Sequence, residues 1–318
     1  MSQDQQYARQ DTANPDAATL REWAEFCVVR AIVFFIGILP RALARTLGAA
    51  IGWLAFHSLG RLRKAGLRNL ELAFPDKTAS EREAILRKVY RNLGYLLAEF
   101  CKMPRYTAER ASRFIRYDGL EHYLEARERG KGVLVLTGHL GAWELSSFYH
   151  SLMGYPMGMV IRRLDNPLVD AFVNRIRCLH GNRVVHKDDF ARGLIASMRA
   201  GETVGILMDT NMTPPQGVFV PFFGIEACTA SGMARIAMKT GAAVVPGFLL
   251  WAEREQKYVL RFGEALNLVH TADSEADATA NTALFTAVLE RYIRSYPEQW
   301  LWMHRRWKTR PPGEAGIY

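Results

Sequence analysis

His139 and Glu144 stand five positions apart in Gly138-His139-Leu140-Gly141-Ala142-Trp143-Glu144, directly after the apolar run GVLVLT at 132–137. A carboxylate held near an imidazole can fix its tautomer and stabilise the imidazolium, so this pair suits general-base chemistry. Such a histidine can take the proton of an alcohol as the alcohol attacks a thioester, and no enzyme nucleophile is then required. The two glycines permit a tight turn or a close backbone approach. An H-x-x-x-x-E spacing also arises by chance as a structural or exposed pair. Its position at a strand-to-helix junction favours chemistry, because ligands of α/β sheets gather at the carboxyl ends of the strands.

The elements around this pair follow from hydrophobic period. GVLVLTG, MGMVIR, RVV, TVGILMD, AAVVPGFLL and YVLRF read as strands, and 167–178, 189–199 and 231–240 as the helices between them. The alternation predicts an α/β fold with a mixed, largely parallel sheet flanked by helices. Upstream, Ser80 and Glu83 have capping-box spacing, followed at helical period by Ile85, Leu86, Val89, Tyr90, Leu93, Leu96, Leu97 and Phe100. Leu284, Phe285, Val288, Leu289, Tyr292 and Ile293 form a second such face.

Residues 1–20 are polar with no apolar core of a signal peptide and read as a disordered tail. Residues 21–64 read as a membrane-anchoring segment and 65–318 as the α/β domain. A helix from Arg21 to Leu39 would be about 28 Å long, close to the thickness of a bilayer core, although Glu25 and Arg30 interrupt it. Pro40 ends it, and a second apolar stretch then leads into the basic RLRK at 61–64. Apolar runs beside Lys and Arg suit an anionic leaflet as a span or an interfacial hairpin; the other reading is a pair of core helices.

The net charge of +9 points to anionic company: nucleic acid, acidic headgroups, phosphorylated lipids or an acidic carrier protein. Nucleic acid is disfavoured, since no recognition motif is present and the basic residues are interleaved with apolar anchors. A serine hydrolase is disfavoured by the lack of a G-x-S-x-G elbow. Cys27, Cys101, Cys178 and Cys228 form no C-x-x-C pair, so reduced thiols in a cytoplasmic compartment are expected. His180 and His186 lack a familiar ligand spacing, and no metal is expected. Read alone, Arg177 fits a helix-surface charge, Asp209 a turn cap, and Arg162 and Arg163 a solvated strand end. Trp300, Trp302 and Trp307, with His304, Arg305 and Arg306, fit either an interfacial belt or a packed C-terminal segment.

TGHLGAWE at 137–144 resembles the H-x-x-x-x-D/E motif of the lysophospholipid/glycerolipid acyltransferase superfamily. Its glycine and tryptophan setting resembles the lipid A biosynthesis (lauroyl/myristoyl) acyltransferase family in particular. VIRRLDNPLVDAFVNRIR at 160–177, ILMDTN at 206–211, GVFVPFFG at 217–224 and WLWMHRRWKTRP at 300–311 resemble further signatures of that family, in order, and the likeness runs from Trp23 to the C-terminus. The resemblance implies that His139 is the general base and Glu144 its acidic partner. It also implies that Arg177 and Asp209 match polar residues associated with activity, and that Arg162 matches an arginine before the Asn166-Pro167 step. It implies O-acyl transfer from acyl carrier protein or acyl-CoA to a hydroxyl of a lipid A precursor, at the cytoplasmic face of a bacterial inner membrane. The thioester is a substrate, and no further cofactor is implied. Phosphates on donor and acceptor suit arginine forks. Alternative acceptors are another membrane glycolipid or an aminolipid; the remaining alternative is a non-catalytic basic protein that binds membrane or nucleic acid. The chain departs from the family at Ala142, where Asn is usual, which bears on acceptor identity more than on the reaction.

Overall fold

A computed structural model of the chain describes residues 18–186 and 190–318. Strand β2 (Val133–Thr137) is buried at each of its first four residues, as expected of a strand covered on both faces. It lies at the centre of a seven-stranded sheet with β1 (Ile115–Asp118), β3 (Gly158–Ile161), β4 (Arg183–His186), β5 (Thr203–Leu207), β8 (Ala243–Ala252) and β9 (Lys257–Phe262). The order is β1-β9-β8-β2-β5-β3-β4. β2 runs parallel to β5 and β8, and β3 parallel to β5 and β4, while β9 is antiparallel to β8 and parallel to β1. The sheet is thus mixed and largely parallel. A separate antiparallel pair is formed by β6 (Gly217–Phe222) and β7 (Ile225–Ala230). In register, Thr137 lies opposite Leu207, so 138–142 and 208–212 leave adjacent strand ends on the same edge.

The helices are α1 (Leu20–Ile38), α2 (Arg41–Ser58), α3 (Gly60–Ala73), α4 (Ala79–Lys102), α5 (Ala108–Ser112), α6 (Leu120–Glu128), α7 (Trp143–Leu152), α8 (Pro167–Arg177), α9 (Phe190–Arg199), α10 (Gly232–Thr240) and α11 (Ser274–Ser295). The box that opens α4 is not Ser80 with Glu83 but Thr78 with Glu81: the Glu81 amide donates to Thr78 Oγ1 at 3.2 Å, and the Thr78 amide to Glu81 Oε2 at 2.7 Å. Both pairs have the motif's spacing, and the turn at 75–77 selects the earlier one; Glu83 instead pairs with Arg87 one turn on. β1, β6, β7 and α6 carry no strong period and were not anticipated by pattern. The tail expected over 1–20 lies outside the described residues up to position 17, as does Asp189 at the expected start of α9.

Among the described residues no helix is long and apolar enough to cross a membrane, so the spanning form of the N-terminal expectation has no support. α2 instead lies against α4. Its buried stripe is Ala44, Gly48, Gly52 and Phe56, at four-residue spacing. Gly48 and Gly94 touch backbone to backbone, such that a Cβ on either would run into the other's carbonyl oxygen. Beside this seam the buried carboxylate of Glu99 receives Arg41 at 2.6 Å, Arg45 at 3.0 Å and the Tyr106 hydroxyl at 2.5 Å. Arg45 also donates to the Tyr258 hydroxyl of β9 at 3.0 Å, which ties α2 to the sheet. The opposite stripe of α2, Leu43, Leu47, Ile51 and Leu54, is exposed, as are Phe34, Phe35 and Ile38 of α1.

The C-terminal aromatics resolve toward packing. Trp300, Trp302 and Trp307 are buried in one apolar cluster with Phe222, Phe248 and Leu289. Arg306 is buried among them, donating to the Cys228 carbonyl at 3.0 Å and the Thr229 hydroxyl at 2.5 Å.

Replacing Gly94 by Ala should lower stability by about 1–3 kcal/mol through overpacking, against a helix-propensity gain of about 1 kcal/mol. Thermal unfolding of the variant checks this. A midpoint raised by the full propensity gain would show that α2 and α4 separate without cost.

Candidate active site

The turn after β2 is fixed from two sides. Gly141 has φ of +68° and approaches Leu249 of β8 so closely that a Cβ would strike the Leu249 carbonyl; the Ala142 amide donates to that same oxygen at 2.8 Å. On the other side, the Gly141 amide donates to the Gln299 carbonyl at 2.9 Å and the Leu301 amide to the His139 carbonyl at 3.0 Å. Residues 299–301 therefore run beside 139–141 in strand-like pairing. Gln299 is itself clamped to Trp251 of β8 by two side-chain hydrogen bonds of 2.9 and 3.0 Å.

Asp209 leaves the end of β5 directly beside this turn, with its side chain almost wholly buried. It accepts three N–H groups: the His139 amide at 2.6 Å and the Trp300 indole at 2.8 Å on Oδ2, and His139 Nδ1 at 2.8 Å on Oδ1. An ionised carboxylate only accepts, so the proton sits on His139 Nδ1 and Nε2 is left as the basic nitrogen. Among the described residues no group hydrogen-bonds Nε2, and about a quarter of the side chain is open to solvent. Burial works against the charge of Asp209, yet the charge and hydrogen bonds of His139 and the Trp300 indole hold its carboxyl down at about 2. Burial likewise opposes the imidazolium, but Asp209, by charge and hydrogen bond, and Glu144, by charge, carry the His139 pKa above its ordinary value.

The hydrogen-bonded carboxylate of His139 is thus Asp209 and not Glu144. Glu144 sits in the first turn of α7, where a helix N-terminus favours an anion, and it forks Arg177. Arg177 Nε meets Oε2 at 2.8 Å and Nη2 meets Oε1 at 2.5 Å, with both side chains mostly buried. Arg177 also donates to Asn174 at 3.1 Å. The reason lies in reach: a helix starts between His139 and Glu144 and turns the glutamate toward α8, whereas the parallel neighbour β5 delivers Asp209 at the histidine's own level. Asn166 caps α8 through the amides of Leu168 and Val169, ahead of Pro167 at the first helical position. The same side chain donates to Glu22 and Glu25 of α1, so the Asn-Pro step ties the N-terminal helix to the helix that bears Arg177. Arg162 is not brought into this network; it is largely exposed and meets Asp165 at 3.2 Å.

Sequence comparison then decides the family, for residues 12–309 match the one described as bacterial lipid A biosynthesis acyltransferase. The chain belongs to that family. It is similar to the lipid A biosynthesis lauroyltransferase of Escherichia coli (strain K12), 30% identical over 290 residues, covering 90% of this chain and 92% of the relative. It is also similar to that organism's lipid A biosynthesis palmitoleoyltransferase, 29% identical over 281 residues and covering 88% and 90%. The myristoyltransferase of the same strain is 25% identical over 298 residues, covering 94% and 91%. The chain is accordingly an acyltransferase of the lipid A biosynthesis family, and His139, Asp209 and Trp300, from three of its sequence signatures, meet at one edge of the sheet. Ala142, where the resemblance implies Asn, is the N-cap of α7 and offers no side-chain acceptor to the first turn. Trp300 is the site residue that pattern reading missed. The tryptophan-rich signature contains it, but no spacing connects it to a carboxylate 91 positions earlier.

Because the base acts unprotonated, transfer should rise with pH through a His139 limb above the ordinary imidazole value of 6.5. In Asp209→Asn the opposing charge is gone and burial remains, so that limb should move to lower pH while the maximal rate falls. An unmoved limb would remove Asp209 from His139. Asp209 also adds stability that is complete above its ordinary value of 3.8 and is lost as pH falls toward about 2; acid unfolding of wild type against Asp209→Asn reads this. For the second pair, Glu144→Ala and Arg177→Ala should each cost thermal stability. The double variant should be no worse than the worse single one, since each single change strands a part-buried charge. Additive losses in that cycle would dissolve the pair.

Proposed function

We propose that this protein moves a fatty acyl group from the thioester of acyl carrier protein or coenzyme A to a hydroxyl of a lipid A precursor, with His139 as general base, at the cytoplasmic face of a bacterial inner membrane. The observation that carries the reading is the three-way acceptance by Asp209, which leaves His139 Nε2 basic, oriented and accessible. Nε2 takes the proton of the acceptor hydroxyl as its oxygen attacks the thioester carbonyl. The tetrahedral intermediate collapses, the C–S bond breaks, and the imidazolium returns the proton to the departing thiolate. Asp209 stabilises the imidazolium between these transfers. The Arg177–Glu144 fork keeps a second negative charge near the ring, as the upward influence of Glu144 on His139 indicates.

The membrane part of this reading rests on where apolar surface is left uncovered. All but four of the exposed large apolar side chains among the described residues lie between Leu20 and Leu62, on α1, α2 and the start of α3. So many exposed apolar side chains on successive helices favour an interaction surface over ordinary scatter. Among the described residues no helix is long and apolar enough to span, and the exposed residues suit an interfacial docking face.

Purified protein in lipid discs, given defined acyl thioesters and candidate acceptors, tests the reaction by mass spectrometry of the lipids formed. His139→Ala should lose about 10²- to 10⁴-fold in transfer, the usual scale of a general base, while circular dichroism shows an intact fold. Near wild-type transfer by the folded variant would sink the mechanism, and acylation of a different glycolipid in place of the lipid A precursor would reassign the acceptor.

A further inference from the structure

A concave cavity of about 620 Å³ lies where α3 meets the C-terminal segment, with Arg61, Lys64, Arg68, Arg305, Ile317 and Tyr318 in its lining. It contains none of the residues assigned to acyl transfer. Arg61, Lys64 and Arg68 follow at i, i+3 and i+7 and so share one face of α3. Arg305 faces them from the other wall, its guanidinium 5.6 Å from the centre of the Tyr318 ring. Arg68 is half-exposed and meets Glu71 at 2.6 Å. Among the described residues no carboxylate pairs with Arg61, Lys64 or Arg305, so the cavity concentrates positive charge with little internal compensation. Like charges gathered in a concavity are costly to the fold and favour a bound anion.

Its surroundings say which anion. Leu59 and Leu62, 46% and 42% exposed, flank Gly60 and Arg61 in sequence, and the exposed Trp53 and Leu54 lie in the last two turns of α2, which leads into α3. The cavity's α3 wall therefore begins where the exposed apolar residues of α2 end, the level at which a leaflet's headgroups would lie if the acyl region met α1 and α2. An open cleft of this size has room for a headgroup, whereas an acidic protein partner needs a broad interface, on the order of 1,000 Å² or more. The wall is also tied to the C-terminal segment that follows residues 299–301 of the active-site turn. Asn69 of α3 donates to the carbonyls of Trp302 and His304 at 2.6 Å each, and Tyr318 donates to Asn69.

We propose that this cavity binds the phosphate of an anionic phospholipid headgroup and thereby fixes the orientation in which the protein docks on the membrane. The inference rests on reading the apolar face as the membrane face. The phosphate is held by the Arg61, Lys64 and Arg305 cations, with the glycerol end directed toward Ile317 and the apolar rim.

Flotation of the full chain with vesicles of phosphatidylcholine alone, or of phosphatidylcholine with phosphatidylglycerol, separates the two ideas. Binding to neutral vesicles reports the apolar face, and the increment on adding phosphatidylglycerol reports the cavity. Arg61→Glu/Lys64→Glu should lose about tenfold or more of that increment and keep neutral-vesicle binding. Arg129→Glu/Arg199→Glu, of equal net charge and placed at the opposite edge of the sheet, should keep both. Equal loss in the two double variants would show diffuse charge attraction and overturn the site, as would an undiminished increment in Arg61→Glu/Lys64→Glu. Thermal stabilisation by inorganic phosphate without any lipid increment would make it a free-phosphate site and overturn the lipid assignment. Absence of neutral-vesicle binding by the wild type, with the increment intact and lost on charge reversal, would overturn the apolar docking face alone and leave the cavity standing.

Discussion

The buried carboxylate of Asp209 is the constraint on which the site is built. Taking a charge almost wholly out of water is costly unless its oxygens are satisfied, and here three N–H donors converge on them from two segments. Two of the donors belong to His139 and one to Trp300, so the same two oxygens set the imidazole's tautomer, hold the turn after β2 and fasten the C-terminal strap across it. A neutral amide at this position could not accept all three, and each donor left over would face another donor in a buried site.

That arrangement depends on the parallel pairing of β2 with β5. Thr137 and Leu207 are partners, so the residues two further on, His139 and Asp209, emerge at the same level on the same edge. The strap from Gln299 to Leu301 then closes the edge by backbone pairing and by the mutual clamp of Gln299 and Trp251. Burial of Trp300, Trp302 and Trp307 gives this irregular segment a rigidity its backbone alone would lack.

The N-terminal helices show the complementary logic. The α2–α4 seam uses Gly48 and Gly94 to bring backbones into contact, and Glu99 gathers Arg41 and Arg45 beneath them. Those contacts use one face of α2 completely and leave its other face, with much of α1, apolar and uncovered. Among its described residues the N-terminal segment is packed on the domain on one side and exposes apolar side chains on the other. Asn166 joins this segment to α8 and so to Arg177, a physical continuity from the uncovered face to the site.

The sequence by itself determined the α/β class, most of the central strands, the amphipathic α4 and the family, because hydrophobic period and local motifs are properties of neighbouring residues. Spacing singled out His139 and Glu144, and the family resemblance added Arg162, Arg177 and Asp209, of which Arg162 stays outside the network. What the sequence could not supply was their pairing. Glu144 is the nearer carboxylate along the chain, and proximity in sequence assigns it to His139; the start of α7 and the register of β2 against β5 give the histidine to Asp209 and the glutamate to Arg177. Trp300 and the choice of Thr78 over Ser80 as cap were hidden for the same reason, as was the way the C-terminal tryptophans pack. Each was decided by which groups the folded chain brings within hydrogen-bond or packing distance, and that is fixed by contacts between residues far apart in sequence.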